Sequence, residues 1–169
     1  MSGMEVIETT VATNFYTYTP LIRPESIRVL VLHPSESHTA PLLCDIVHDD
    51  RHKILLDIEQ KRDYETVSYT WGDPIFSHEI FCGDEKARLS ITPNVDSLLR
   101  NLRKPFKSRG LWVDAICLNQ TNYVEKRIQV ALMGEIYRQG LCQRSLIYGL
   151  RGYLTGAERG NTQHATLFL

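Results

Sequence analysis

The apolar positions of this chain fall into short runs of strand character and two stretches with helical spacing. Strands are predicted where short apolar runs, often β-branched, are bounded by turn residues. The run at 111–117 is nearly continuous, which is typical of a strand covered on both faces. The predicted strands are residues 27–32, 42–47, 66–70, 79–82, 87–91, 111–117 and 145–149, with the fourth and fifth forming a hairpin.

Two helices are predicted between these strands. Thr92 is a good N-cap, Pro93 suits the first helical position, and an apolar stripe spaced i, i+3, i+4, i+7 follows. The second helix is expected at residues 123–138, where Asn122 is the N-cap and Glu125 has the spacing of a capping box. Because apolar side chains fall on two faces of this second helix, we expect it to be wedged in the core.

Strands and helices alternate along the chain, which predicts an α/β domain with a partly parallel sheet flanked by helices. A length of 169 residues is typical of one domain with a sizeable core. We expect a lead-in at residues 1–24, the α/β domain at 25–150 and an irregular tail at 151–169.

Polar side chains follow several of the predicted strands and are candidates for a ligand site. Ligands of α/β sheets bind beyond the carboxyl ends of the strands. If the strands concerned are parallel neighbours, these side chains converge on one edge of the sheet. The residues at those positions are His33, Trp71, Asp73, Asn119 and Gln120.

Composition and motifs exclude several classes of protein. Nineteen basic against twenty acidic residues give a net charge of −1, so we expect no nucleic-acid partner. Apolar runs are far shorter than the ~20 residues that span a bilayer, and we expect neither a membrane segment nor a secretory signal. Four scattered cysteines without a C-x-x-C pair favour reduced thiols and a cytoplasmic location. The phosphate-loop, Rossmann, zincin and nucleophile-elbow motifs do not occur in the sequence.

Two acidic residues are candidates for chemistry, and each allows two interpretations. Asp114 interrupts an apolar run, so its carboxylate must be paired, hydrogen-bonded or protonated. It either orients a ligand or transfers protons, or it is held by backbone N–H groups or an Arg. Glu125 starts on an inward-facing stripe in the first helical turn, where the helix dipole lowers its pKa. It either acts as a nucleophile or transition-state stabiliser, or it completes the capping box at the Asn122 N–H.

Amide, aromatic and thiol groups nearby are open to two interpretations as well. Asn119 and Gln120 can bind the polar edge of a ligand, or Asn119 can form an Asx turn. Trp71 can stack on an aromatic ligand or serve as a core or lid residue. Cys117 has apolar neighbours and no adjacent His, so we expect a small core residue with a raised pKa.

A spacing of four separates Cys44, His48 and His52, which on a helix would align them for zinc. The segment has the pattern of a strand leaving into a polar loop, however, and a second pair of ligands is missing from the sequence. We therefore expect no metal site.

Three segments taken together resemble the fungal heterokaryon incompatibility (HET) domain family. Residues 64–74 resemble its opening motif, residues 111–120 its central motif and residues 125–137 its third motif, in matching order and spacing. The resemblance implies a flavodoxin-like α/β fold, distantly similar to TIR domains. It also implies a cytoplasmic fungal protein of non-self recognition, whose family triggers programmed cell death when incompatible hyphae fuse. Such a protein acts as a signalling and interaction module through self-association or a protein partner.

The distant similarity to TIR domains also implies an alternative function, because some TIR domains cleave NAD with a helical Glu. NAD would then be the substrate and Glu125 the catalytic residue. After the third motif the chain departs from the family pattern, which usually continues to a strand ending in Trp-Leu-Gly. We therefore expect a domain truncated at its C-terminus, and a non-functional fragment is a third hypothesis. The residues expected to bind the ligand are Trp71, Asp73, Asp114, Asn119 and Gln120.

Overall fold

The computed structural model describes residues 14–51, 64–140, 146–148 and 154–156. Within them the strands are β1 (Ser26–Leu32), β2 (Leu43–Asp50), β3 (Glu65–Tyr69), β4 (His78–Cys82), β5 (Ala87–Ile91), β6 (Arg109–Trp112), β7 (Leu146–Tyr148) and β8 (Leu154–Gly156). The helices described are α1 (Pro93–Leu102), α2 (Asp114–Cys117) and α3 (Tyr123–Gln139). The eight strands form one sheet in the order β5-β4-β2-β1-β6-β3-β7-β8.

The sheet is partly parallel, as the sequence predicts. β1 lies inside the sheet and pairs antiparallel with both β2 and β6. The parallel pairs are β2 with β4, β6 with β3, and β3 with β7. The antiparallel hairpins β4–β5, which was predicted, and β7–β8 lie at the two ends of the strand order. The described part of the chain therefore confirms the α/β class, and β8 falls within the segment predicted as a tail.

The apolar run at 111–117 is not a single strand. β6 ends at Trp112, Val113 is extended, and Asp114 begins the single helical turn α2. The carbonyl of Val113 accepts a hydrogen bond from the N–H of Ile116 at 3.0 Å. The prediction was wrong because the periodicity of a short apolar run does not distinguish a helical turn from a strand covered on both faces.

His33 lies away from the edge where the other polar residues were expected to converge. Because β1 runs antiparallel to β6, its carboxyl end points opposite to those of β3 and β6. The His33 N–H donates to the carbonyl of Leu43 at 2.9 Å, and its Nε2 lies 2.8 Å from a carboxylate oxygen of Asp45. The predicted convergence is therefore wrong for His33, whereas the parallel strands β3 and β6 do end at one edge.

Helix α1 forms with the predicted start and apolar stripe. Oγ1 of the N-cap Thr92 accepts a hydrogen bond from the Val95 N–H at 3.4 Å, and Pro93 occupies the first turn. Burying side chains of this size contributes ~1.5–3 kcal/mol each to stability. The buried apolar residues of the helix are Val95, Leu98, Leu99 and Leu102.

Helix α3 has nearly the predicted bounds, and Glu125 lies on its buried side as predicted, but the helix does not bury two apolar faces. Tyr123 and Val124 are 82% and 70% exposed, and the buried side carries the polar residues Glu125 and Gln129. The Nε2 of Gln129 donates to the carbonyl of Ser26 at 3.0 Å. The expectation of a helix wedged in the core was wrong because the start of this helix packs against polar groups of the sheet.

The second half of α3 supplies the apolar contacts that attach it to the sheet. The Trp112 ring on β6 is fully buried and meets the Tyr137 ring edge to face, with 5.6 Å between centroids. The hydroxyl of Tyr137 donates to the carbonyl of Val67 at 3.2 Å, and that of Tyr64 to the carbonyl of Ile136 at 3.1 Å. Among the described helices, none has the length and apolar character needed to cross a membrane.

Candidate functional site

A buried ion pair joins the interior of the sheet to the third helix. Arg28 lies on β1 with a fully buried side chain, and Glu125 lies in the first turn of α3 and is 9% exposed. The Arg28 Nη1 donates to Oε1 of Glu125 at 2.5 Å, and Nη2 donates to Oε2 at 2.9 Å. This two-bond arrangement is the strongest that a guanidinium and a carboxylate form, and it neutralises both charges away from water.

Arg28 also holds the segment before β1 and the end of α2. Its Nη2 donates to the carbonyl of Thr19 at 2.7 Å, and its Nη1 donates to the carbonyl of Cys117 at 3.3 Å. The ring centroid of Tyr18 lies 5.0 Å from the guanidinium carbon, and the Tyr18 hydroxyl donates to the carbonyl of Ile116 at 2.8 Å. One guanidinium therefore serves as the shared partner of several separate segments.

The capping box predicted at the start of α3 forms only in part. The Oδ1 of Asn122 accepts a hydrogen bond from the Glu125 N–H at 3.1 Å, so Asn122 is the N-cap as predicted. The Glu125 carboxylate accepts instead from Arg28 and from the N–H of Asn119, the latter at 3.2 Å. The capping interpretation was therefore wrong for this carboxylate, because a buried guanidinium is a stronger donor than a backbone N–H.

The ion pair controls the protonation of the groups around it. Burial by itself would raise the pKa of Glu125, but the hydrogen bonds and charge of Arg28 outweigh burial and hold the pKa below its usual value. His48 lies opposite Arg28 on β2, and burial together with the Arg28 charge lowers the pKa of His48. At neutral pH Glu125 is therefore ionised and His48 is uncharged.

A second set of hydrogen bonds joins the ends of β3 and β6. The Nε1–H of Trp71 donates to Oδ2 of Asp114 at 3.1 Å, and the Ala115 N–H donates to Oδ1 at 2.8 Å. The Nε2 of Gln120 donates to the carbonyl of Asp114 at 2.9 Å. Burial raises the pKa of Asp114 above its usual value, although the bonds from Trp71 and Ala115 act in the opposite direction. The structure thus brings together Trp71, Asp114 and Gln120, which were all predicted for the site.

Asn119 and Asp73 lie beside this set without joining it. The Oδ1 of Asn119 accepts from the N–H of Thr121 at 3.2 Å and from its hydroxyl at 2.8 Å, which is the Asx turn that the sequence allowed. Asp73 is exposed on the loop after β3. Within the described residues, Asp114 and Glu125 accept from different donors, so the two acidic candidates belong to separate hydrogen-bond sets.

Arg28 is the central residue that the sequence analysis missed. A signal was present, because it is the one Arg in an otherwise apolar run at 27–32. A cation in a buried strand requires a carboxylate partner. The identity of that partner was hidden, since Glu125 lies 97 positions further along the chain.

Residues 70–77, here called the 70–77 loop, present apolar side chains to solvent. Trp71, Ile75 and Phe76 are 46%, 60% and 63% exposed. The Trp71 ring stacks nearly parallel to the ring of Tyr69, with 6.4 Å between centroids. Trp71 is therefore not a core residue, because one edge is bound to the framework and much of the ring faces water.

Helix α1 contacts the start of the 70–77 loop. The Nδ2 of Asn94 donates to the carbonyl of Thr70 at 2.9 Å. Gly72 has a φ of +69°, and a Cβ at this position would lie 2.5 Å from the same Nδ2 atom. The left-handed backbone favours glycine here, and any larger residue would also have to displace the Asn94 amide.

Position and burial bear on the residues with zinc-ligand spacing and on Cys117. No group of three His, Cys, Asp or Glu side chains there could hold a metal ion. Cys44 and His48 lie on β2, and His52 lies outside the described residues. Cys117 is a buried core residue as predicted, and burial raises its pKa to about 12.

Fold and site together define an α/β domain. Its segments 64–74, 111–120 and 125–137 meet at the edge shared by β3 and β6. The family model of the heterokaryon incompatibility protein (HET) matches residues 64–149, about half of the chain. The chain belongs to this family.

A curated relative supports the same family. The chain is 34% identical over 151 residues to heterokaryon incompatibility protein 6, OR allele, of Neurospora crassa. The alignment covers 81% of this chain and 21% of the relative, so the chain spans about a fifth of the length of that protein. No solved structure gives a significant match to the chain.

Removing one charge of the Arg28–Glu125 pair should destabilise the fold strongly. Glu125→Ala leaves a buried guanidinium unpaired, and we expect the free energy of unfolding to fall by about 3–5 kcal/mol. Combining Arg28→Met with Glu125→Leu should recover most of this loss, because the unpaired charge causes the penalty. Chemical denaturation measures each variant, and a double variant as unstable as the single one would contradict the argument.

Arg23, an exposed side chain 3.3 Å from Asp50, provides a matched control. Arg23→Ala should cost at most ~1 kcal/mol, because solvent screens such pairs.

Folding lowers the pKa of Glu125, so the stability that its carboxylate contributes depends on pH. This contribution to the free energy of unfolding is fully present above the unfolded-state pKa and is lost as the pH falls through the folded-state pKa. Glu125→Gln should lack this acid-dependent loss of stability.

The hydrogen bond between Trp71 and Asp114 should be visible in the titration of the carboxyl group. Trp71→Phe removes the donor that lowers the pKa of Asp114, so the pKa should rise further above its usual value. NMR titration of the Asp114 carboxyl carbon measures the change. Ile75→Ala, in the same loop, should leave that pKa unaltered, and an equal response to both substitutions would argue against the bond.

Proposed function

We propose that this chain is a protein-interaction module of fungal non-self recognition, located in the cytoplasm and acting in a pathway to cell death. Support comes from its membership of the heterokaryon incompatibility family and from a relative named for heterokaryon incompatibility. The partner is a protein, either a second copy of the chain or another component of the recognition system.

The observation that carries this proposal is the exposed, fixed 70–77 loop. Clustering of exposed apolar side chains on one surface is a feature of protein interaction sites. Trp is enriched among the residues that dominate binding energy, and Trp71 is held in place by its bond to Asp114. A loop already ordered before binding loses less conformational entropy when a partner docks.

The two acidic candidates, Glu125 and Asp114, support the same conclusion because their carboxylates are already hydrogen-bonded within the protein. Both carboxylate oxygens of Glu125 accept hydrogen bonds from Arg28, and both of Asp114 are bonded to Trp71 or Ala115. These groups hold the framework that supports the loop. In this proposal the exposed apolar side chains of the loop bind the partner, and the hydrogen-bonded polar side chains stabilise the fold.

Phe76→Ala should weaken the function without unfolding the protein. Phe76 is 63% exposed, so its removal changes the surface and not the core. In a filamentous fungus with inducible expression of the chain, we expect cell death with the wild type and at least about a tenfold recovery of viable cells with this variant.

Phe106→Ala is the matched control, because Phe106 is 78% exposed outside the 70–77 loop. This variant should kill as the wild type does, and circular dichroism should show both variants folded. Equal effects of the two substitutions, or survival of cells that express the wild type, would contradict the proposal.

The alternative prediction is that Glu125 cleaves NAD. It follows from the proposed distant similarity of the family to TIR domains. The position of Glu125 in the first turn of α3 suits a helical catalytic carboxylate. Its two bonds to the Arg28 guanidinium oppose that role, since a substrate would have to compete with a buried ion pair.

Nicotinamide release from NAD distinguishes these functions. If the chain is an interaction module, purified wild-type protein should release no more nicotinamide than the Glu125→Gln variant. Turnover by the wild type that is lost in both Glu125→Gln and Glu125→Ala, with folding preserved, would establish catalysis instead.

A further inference from the structure

Two buried thiols face each other between β2 and β4. Cys44 and Cys82 are direct partners in the parallel register, and their Sγ atoms lie 3.4 Å apart. The two residues are 1% and 3% exposed, and both are free thiols. A disulfide requires Cα atoms about 4.4–6.8 Å apart, and neighbouring strands are separated by about 4.7–4.9 Å. The backbone is therefore already positioned for a bond between the two sulfur atoms.

The contact between β2 and β4 is a short one. Its register consists of Leu43 opposite Phe81 and Cys44 opposite Cys82. Two further backbone hydrogen bonds of 2.9 Å flank it, from the Phe81 N–H to the carbonyl of Leu42 and from the Gly83 N–H to the carbonyl of Cys44. The thiol pair thus lies in the ladder that attaches the β4–β5 hairpin to the rest of the sheet.

The segment before β1 covers this region. Tyr16 packs against the core and donates its backbone N–H to the carbonyl of Arg88 on β5 at 2.9 Å. Burial, with a smaller contribution from Cys82, raises the pKa of Tyr16 to about 12. The hydrogen bond with Cys82, together with burial, raises the pKa of Cys44. Burial shields both thiols from solvent in the folded structure, so oxidation of the pair requires a local opening of this region.

We propose that Cys44 and Cys82 form a site of reversible modification, which a peroxide converts to an intramolecular disulfide. One thiolate attacks the peroxide, breaking its O–O bond, forming a sulfenic acid and releasing water after proton transfer. The second thiol then displaces the sulfenic oxygen as another water molecule. Two thiols are oxidised by two electrons, one hydrogen peroxide is reduced to two waters, and a dithiol reagent reverses the reaction.

The disulfide joins the β4–β5 hairpin covalently to β2. It also closes the loop between residues 44 and 82, which restricts the unfolded chain. For a domain of this size we expect the melting temperature to rise on the order of 10 °C. The hydrogen-bonded amides of Phe81 and Gly83 should exchange more slowly with solvent, because opening of the ladder is then resisted.

The experiment treats the full chain with hydrogen peroxide and analyses it before and after reduction with dithiothreitol. We expect a monomer whose mass has fallen by two hydrogens, a linked Cys44–Cys82 peptide pair after proteolysis, and a higher melting temperature that reduction reverses. Cys82→Ala should lack all three changes. Cys117→Ala, at another buried free thiol, should retain them.

Peptide mapping of the wild type keeps the proposal testable if a cysteine variant does not fold. Linkage of Cys44 or Cys82 to Cys117 or Cys142, cross-linked dimers alone, or sulfinic acid without a linked pair would each overturn it. A Cys44–Cys82 bond that lowers the melting temperature would overturn the stabilising role assigned to it.

Discussion

The fold of this protein depends on where one buried positive charge can be neutralised. The Arg28 side chain has no exposed surface and lies on a strand flanked by strands on both sides. A guanidinium in such a place is tolerated only with a carboxylate and several carbonyl partners. Those partners come from Thr19, Cys117 and Glu125, so segments far apart in sequence must meet at this strand. The requirement selects one arrangement of helix and sheet among many that would bury the same apolar area.

The need to neutralise Arg28 also explains why the Glu125 carboxylate of the third family motif points into the protein. Glu125 is an acidic residue with an inward orientation, a feature that in isolation suggests a catalytic group. Its lowered pKa has a structural cause, however, because Arg28 outweighs the opposing effect of burial. Among the surfaces that remain exposed in the described residues is the 70–77 loop, which has apolar side chains and is hydrogen-bonded to Asn94 at its first residue. A surface of this kind suits recognition of a protein better than turnover of a small molecule.

Features set by local physics could be predicted from the sequence, and features set by distant contacts could not. Helix α1 has an N-cap, a proline and an apolar stripe within eleven residues, and all of them act where they were expected. The end of β6 at Trp112 could not be recognised, because a short apolar run lacks the periodicity that separates helix from strand. On α3 the inward position of Glu125 was predicted, whereas the exposure of Val124 was not, because counting apolar residues ignores the polar demand of Arg28. In the site, the parallel pairing of β3 and β6 joined Trp71 to Asp114 as expected, whereas the antiparallel β1 removed His33.

The physical unit that carries the family motifs is larger than the matched segment. Residues 64–149 contain β3, β6 and α3, which meet through the bonds of Trp71, Asp114, Gln120 and Asn119. They lack β1, however, and with it Arg28 and the strand that pairs with β6. Without that strand Glu125 would be a buried carboxylate with no cation, and one side of β6 would be an open edge. The motifs therefore need the preceding strands for a stable site, and Arg28 is the residue through which the two parts are joined.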